Sequence, residues 1–155
     1  MTAIPTGNQP GAHILIVDDN EMGLLARKQV LQELGHRVTE VSSAKEALRL
    51  FGSGLFDLVI TDFRMPDLNG IELIQNARAI RPEIPIILIS GFTTALGLDE
   101  ATTGADIVLQ KSALEVPQLI RAVNRLLRKT PATPRKRAAV QGVQKKSTAT
   151  GKRTG

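Results

Sequence analysis

The chain has 155 residues, 42% of them hydrophobic, no Cys, and a net charge of +5. That is enough for one domain with a real core, while the missing Cys excludes disulfides, thiol chemistry and thiolate metal sites. No apolar run approaches the ~20 residues that span a bilayer.

The N-terminal stretch "MTAIPTGNQPGA" has neither a basic start nor an apolar centre. It reads as a flexible lead over residues 1–12 rather than a secretory signal, and the simplest expectation is a cytoplasmic protein without membrane contact. "HILIVD" (13–18) follows as a strand of unbroken apolar residues. Asn20 can cap a helix that runs toward Leu34 and stops at Gly35. "RVTEV" (37–41) is more polar and suits an edge strand. "SAKE" (43–46) predicts a capping box, with Ala44, Ala47, Leu48 and Phe51 at helical spacing behind it.

"DLVITD" (57–62) is a second greasy strand, followed by the turn "FRMPDLNG". Asp67 and Asn69 suit turn formation, and Asn69 with Glu72 repeats the capping pattern ahead of Ile71, Ile74 and Ala77. "IPIILIS" (84–90) is a third buried strand. "TTALGLDEATTGAD" (93–106), with two Gly and several Thr, supports at most short or loose helix. "DIVLQK" (106–111) is the last strand. The final helix places Val116, Leu119, Ile120, Val123 and Leu127 on one stripe, with Pro117 tolerable in its first turn. His13 and His36 read as surface or strand-edge residues.

Beyond Lys129 the chain turns to Pro, Thr, Ala, Gly and Lys/Arg without apolar period, which predicts a disordered basic tail over 130–155. From Arg128 onward there are nine Lys/Arg and no Asp/Glu, against eleven Lys/Arg and fifteen Asp/Glu before it. An acidic body over 13–129 therefore carries a basic tail. Such a tail can neutralise nucleic-acid phosphates. It has no aromatic residue to stack on bases. Solubility is an equal explanation for it.

Alternating strands and helices imply a parallel α/β sheet with helices on both faces, and function gathers beyond the strands' carboxyl ends. Those ends carry Asp18 and Asp19, then Asp62, Ser90 and Lys111. Asp18 and Asp19 alone could merely begin a helix, where acids are favoured. Three carboxylates on one rim are another matter. Two of them ~4 Å apart repel by roughly 4 kcal/mol at an effective dielectric near ~20. One lysine cannot quiet three, so either a proton is shared or a divalent cation is present. Oxygen-only ligands favour a hard ion, and Mg²⁺ suits two or three carboxylates. The ion and Lys111 would neutralise a phosphoryl group, Ser90 would donate a hydrogen bond to it, and Asp62 is the best candidate nucleophile.

The segments "VDDNE", "DLVITDFRMPDLNG", "ILISG" and "LQK", in this order, resemble the receiver domain of bacterial two-component response regulators, over about residues 13–128. The resemblance implies a three-layer (βα)5 flavodoxin-like fold with a five-stranded parallel sheet in order 2-1-3-4-5. It implies Asp62 as phosphoacceptor, with Ser90 and Lys111 on the phosphoryl group. Mg²⁺ would be held by Asp62, by Asp19 directly, by Asp18 mainly through water, and by the backbone carbonyl of Arg64. The phosphoryl donor would be a sensor histidine kinase or a histidine phosphotransfer protein, and the downstream target is unknown.

The chain is thus expected to be a single-domain switch of a phosphorelay, a phosphoryl acceptor rather than an enzyme. The alternative is a nucleic-acid-binding protein acting through its tail, with the receiver as regulator or degenerate scaffold. Haloacid-dehalogenase phosphatases also use an Asp with Mg²⁺, but they need a second Asp two residues later, where this chain has Arg64. Two positions depart from the receiver pattern. Ser112 stands where a Pro in a cis bond usually follows the lysine, and Val108 stands where an aromatic switch residue is usual. Arg64 and Phe92 fall at positions that tune loss of the phosphoryl group, and Phe92 is a candidate substitute for the aromatic.

Overall fold

A computed structural model describes residues 11–129. The expected lead and basic tail therefore lie almost wholly outside the described residues. Five parallel strands, β1 (His13–Val17), β2 (Arg37–Val41), β3 (Leu58–Asp62), β4 (Ile86–Ser90) and β5 (Ile107–Gln110), form one sheet in the order β2-β1-β3-β4-β5. Between and after them lie α1 (Glu21–Glu33), α2 (Ala44–Ser53), α3 (Gly70–Ile80), α4 (Thr93–Leu96), α5 (Glu100–Thr103) and α6 (Glu115–Lys129).

The greasy strands sort their side chains by parity, as the two-residue period of a pleated strand requires. Ile14, Ile16, Leu58, Ile60, Ile87 and Ile89 face α1 and α6, where Leu24, Leu31, Leu119 and Val123 meet them. Leu15, Val17, Val59, Ile86 and Leu88 face the opposite layer, with Ala44, Ala47, Phe51, Leu73, Ile74 and Ala77. Both faces are covered, which explains why these strands are continuously apolar. β2 and β5 are the edges, and β2 carries the polar residues expected there.

Asn20 caps α1 by accepting from the amides of Met22 and Gly23. Gly35, in the left-handed region at φ 95°, lets His36 N donate back to Leu31 O and close the helix. Asn69 and Glu72 form a full capping box on α3. At α2 only half of the expected box exists: Ser43 accepts from Glu46 N, but the Glu46 carboxylate turns to Arg49. Asp67 satisfies two other amides of the first turn, accepting from Ala44 N and Lys45 N.

α6 is rotated relative to the expected stripe. Val116 is exposed, while Ala122 and Leu126 join Leu119, Val123 and Leu127 in the core. His36, read as a surface or strand-edge residue, directly precedes the edge strand β2 but does not lie on the surface. It is buried, and its Nδ1 accepts from Ala12 N at 3.0 Å. Burial holds its pKa below the ordinary histidine value. His13 is only partly buried and shares a hydrogen bond with the Thr39 hydroxyl.

The stretch expected to be loose contains two single-turn helices, α4 and α5, separated by Gly97 in the left-handed region. One side chain anchors the far end of this stretch. Arg78 of α3 donates to the carbonyls of Gly104, Pro82 and Ile84 and to the Asp106 carboxylate. Four acceptors on two loops thus depend on one guanidinium. Arg78→Ala should lower unfolding free energy by about 2 kcal/mol in urea melts, with an unchanged m-value; a loss under about 0.5 kcal/mol would refute this account. No helix among the described residues is long and apolar enough to cross a membrane.

Candidate functional site

β1 and β3 are adjacent and in register, so their carboxyl ends present neighbouring side chains. Asp18 and Asp19 follow β1 directly, and Asp62 is the last residue of β3. Each of the three offers a carboxylate oxygen, and these oxygens lie within 4.8 Å of one another. Asp18 and Asp62 are buried and Asp19 is exposed. The cluster is therefore open on one side and walled on the other.

β4 and β5 bring the remaining groups. Lys111 follows β5, its backbone fixed by Lys111 N donating to Ser90 O at 2.9 Å. Its Nζ lies 3.0 Å from Asp62 Oδ1. Ser90 ends β4, and its Oγ accepts from Phe92 N at 3.0 Å, which leaves the hydroxyl proton free to donate. Burial pushes the Asp62 pKa above the usual carboxylate value; the Lys111 hydrogen bond opposes that and the Asp18 charge adds to it. The ammonium does not fully offset the cost of burying this charge beside another.

Gly70 makes room for the arrangement. Its amide donates to Phe63 O at 2.7 Å, and a Cβ there would lie 2.6 Å from Asp62 O and 2.7 Å from Leu88 Cδ1. The backbone of β3 and the start of α3 can touch only because position 70 lacks a side chain. Arg64 lies in the loop two residues beyond Asp62, with its guanidinium 4.6 Å from the centre of the Phe92 ring. Phe92 is half exposed and is not part of the core.

Both departures from the receiver pattern have a local structural answer. The Lys111–Ser112 bond is trans, as are all peptide bonds among the described residues. Ser112 instead closes the turn that leads into α6: its Oγ accepts from Leu114 N and its carbonyl from Glu115 N. Val108 is partly buried, and its amide donates to Glu100 Oε2 at 2.9 Å. Gln110 donates to Gly91 O and is hydrogen-bonded to the Thr93 hydroxyl. Polar ties from β5 to the β4–α4 segment thus occupy the region where an aromatic readout is usual.

One member of the site was not singled out from the sequence. Arg27 of α1 is buried, with Nη1 2.5 Å from Asp18 Oδ2 and Nε 2.8 Å from Glu115 Oε2. The signal was present: Leu24, Arg27 and Leu31 share the buried face of α1, and an arginine inside an apolar stripe needs a partner there.

The donor set suits a hard divalent cation. Three carboxylates face one lysine and one arginine, and the arginine is shared with Glu115. Oxygen ligands without His or Cys match Mg²⁺ and not a softer metal.

The comparisons agree with this geometry. The family model described as "Response regulator receiver domain" matches residues 14–124. The virulence sensor protein BvgS of Bordetella bronchiseptica is 37% identical over 103 residues, which cover 64% of this chain and 8% of that protein. The DNA-binding transcriptional regulator NtrC of Azospirillum brasilense is 36% identical over 117 residues, 75% of this chain and 24% of NtrC. The chain thus spans less than a quarter of the length of either relative. Among solved structures, the response regulator TrrA of Thermotoga maritima, in complex with Mg²⁺-BeF, is 32% identical with a TM-score of 0.68, covering 74% of this chain and 98% of that one. A CheY-like receiver domain protein from Methanospirillum hungatei is 28% identical with a TM-score of 0.69, covering 77% and 95%. Matched by the family model over residues 14–124 and folded as a five-stranded parallel sheet in the order β2-β1-β3-β4-β5, the chain belongs to the response regulator receiver domain family.

Proposed function

We propose that Asp62 accepts a phosphoryl group from a phosphohistidine on a sensor kinase or histidine phosphotransfer protein in the cytoplasm. The observation that carries this reading is a buried carboxylate at the end of β3, beside two other carboxylates and 3.0 Å from an ammonium. An Asp62 oxygen attacks phosphorus, the phosphorus–nitrogen bond of the donor breaks, and the imidazole keeps the electron pair and takes up a proton. Lys111 neutralises phosphoryl oxygens, and Ser90 donates its hydroxyl proton to one of them. Asp19, Asp62, the Arg64 carbonyl and, through water, Asp18 would hold Mg²⁺. The ion, when bound, supplies positive charge against the phosphoryl oxygens.

The chain is an acceptor and not a turnover enzyme in this reading. Arg64 occupies the place where a phosphatase of related chemistry needs a second acid. Donation by Ser90 would bend the segment that begins at Phe92 N, and the ties through Gln110 and Glu100 would carry that change toward a partner. The direct test is acetyl phosphate with Mg²⁺, read by intact-protein mass: one added phosphoryl group supports the reading, and none rejects it.

Arg64, two residues beyond Asp62, stacks on Phe92, two residues beyond Ser90. This pair should slow the attack of water on phosphoaspartate. The Arg64→Ala, Phe92→Ala double variant is expected to lose its phosphoryl group about three- to tenfold faster than wild type, since excluding water protects a reactive intermediate. Equal decay rates would refute the shielding role.

A further inference from the structure

Arg27 joins two parts of the molecule that are far apart in sequence. One edge of its guanidinium holds Asp18 in the acidic cluster, and Nε holds Glu115 in the first turn of α6. Arg27 and Asp18 are almost fully buried, and the Glu115 side chain is 16% exposed. Gly23 clears the way between helix and cluster: a Cβ there would lie 2.9 Å from Asp18 Oδ2 and 3.5 Å from Arg27 Nη1. The other Asp18 oxygen accepts from Asn20 N at 2.9 Å. Asp18 is thus held on both oxygens by the protein itself.

We propose that Arg27 is a positioning residue whose shared guanidinium couples the charge of the acidic cluster to the seating of α6 through Glu115. The inference rests on the Mg²⁺ reading above and deepens it. A cation entering the cluster competes with Arg27 for Asp18. As that pairing weakens, the guanidinium turns its charge toward Glu115. Anything that displaces Glu115 returns the positive charge to Asp18 and opposes the ion. Arginine suits this role because its planar fork engages two carboxylates at once, whereas lysine is a single point of charge.

The reasoning sets the sign of each effect. Arg27→Met removes a cation beside the cluster and should tighten Mg²⁺ binding about fivefold, whereas Glu115→Gln throws the guanidinium charge onto Asp18 and should weaken it about threefold. Arg27→Lys restores the charge and should return affinity to within about twofold of wild type. In the Arg27→Met background, the effect of Glu115→Gln should shrink to less than half. A purely structural role would loosen the site and weaken binding in every variant.

Titration calorimetry with MgCl₂ on wild type, the three single variants and the Arg27→Met, Glu115→Gln double variant tests this. Opposite signs for Arg27→Met and Glu115→Gln, with the double-variant shrinkage, support the coupling. Weakened binding in both, or an equal Glu115→Gln effect in both backgrounds, overturns it. If Arg27→Met does not fold, Arg27→Gln, which also removes the charge, takes its place alone and with Glu115→Gln, and the same opposite signs and double-variant shrinkage support the proposal while their absence overturns it. Wild type giving no heat with Mg²⁺ sinks the metal reading itself, whereas wild-type binding with unaltered variants sinks only the coupling.

Discussion

Asp62→Asn should abolish phosphoryl uptake, by at least about 100-fold in acetyl-phosphate labelling, because an amide oxygen is a poor nucleophile and carries no charge. The same substitution should raise the melting temperature at neutral pH, in EDTA. The reason is the environment of Asp62: burial and the neighbouring Asp18 raise its pKa in the folded protein against the pull of Lys111. A group with a raised folded pKa contributes stability while protonated and loses that contribution as pH rises through the folded value. At neutral pH the ionised carboxylate therefore works against the fold, and asparagine relieves it. The stability difference should close on acidification toward the ordinary carboxylate range. Lost labelling with a gain in stability separates chemistry from folding. Lost labelling with a fall in melting temperature would overturn this account of the site's electrostatics.

Gly70→Ala should cost about 3 kcal/mol, at the top of the range for overpacking a tight site. The new methyl would meet Asp62 O and Leu88 Cδ1, and Phe63 Cα at 3.0 Å. None of these can yield easily. Asp62 ends a central strand, Phe63 is tied to β4 through its amide on Ile89 O, and the capping box of Asn69 and Glu72 fixes the start of α3. Urea denaturation gives the stability. Labelling should also slow, since relief requires moving the backbone that carries Asp62. A cost below about 1 kcal/mol would mean that the β3–α3 junction is softer than its contacts imply.

The rim was legible in the sequence because its residues sit at strand ends, and strand ends are easy to read when the strands are unbroken Ile, Leu and Val. Asp18, Asp19, Asp62, Ser90 and Lys111 could be brought to one edge without any coordinates. Arg27 could not be assigned in the same way. Its partner Glu115 is 88 residues away, and only the folded layers bring α1 against α6. The rotation of α6, which exposes Val116 and buries Ala122, is likewise set by packing, because small residues leave the helical stripe ambiguous. His36 looked peripheral because its partner is a backbone amide, which has no signature in a sequence. The half-formed cap at Ser43 has a similar cause. Glu46 had two possible partners, and Arg49 won it, while Asp67 took over amides that local pattern could not link to it.

The two single-turn helices bury only Thr103 between them. Segments so lightly anchored can melt locally while the sheet stays intact, since little apolar surface is exposed when they open. A receptor that gripped residues 93–104 would therefore spend binding energy on ordering them, and so hold on less tightly for the area it covers. A weak grip of this kind means quick release of whatever holds the segment.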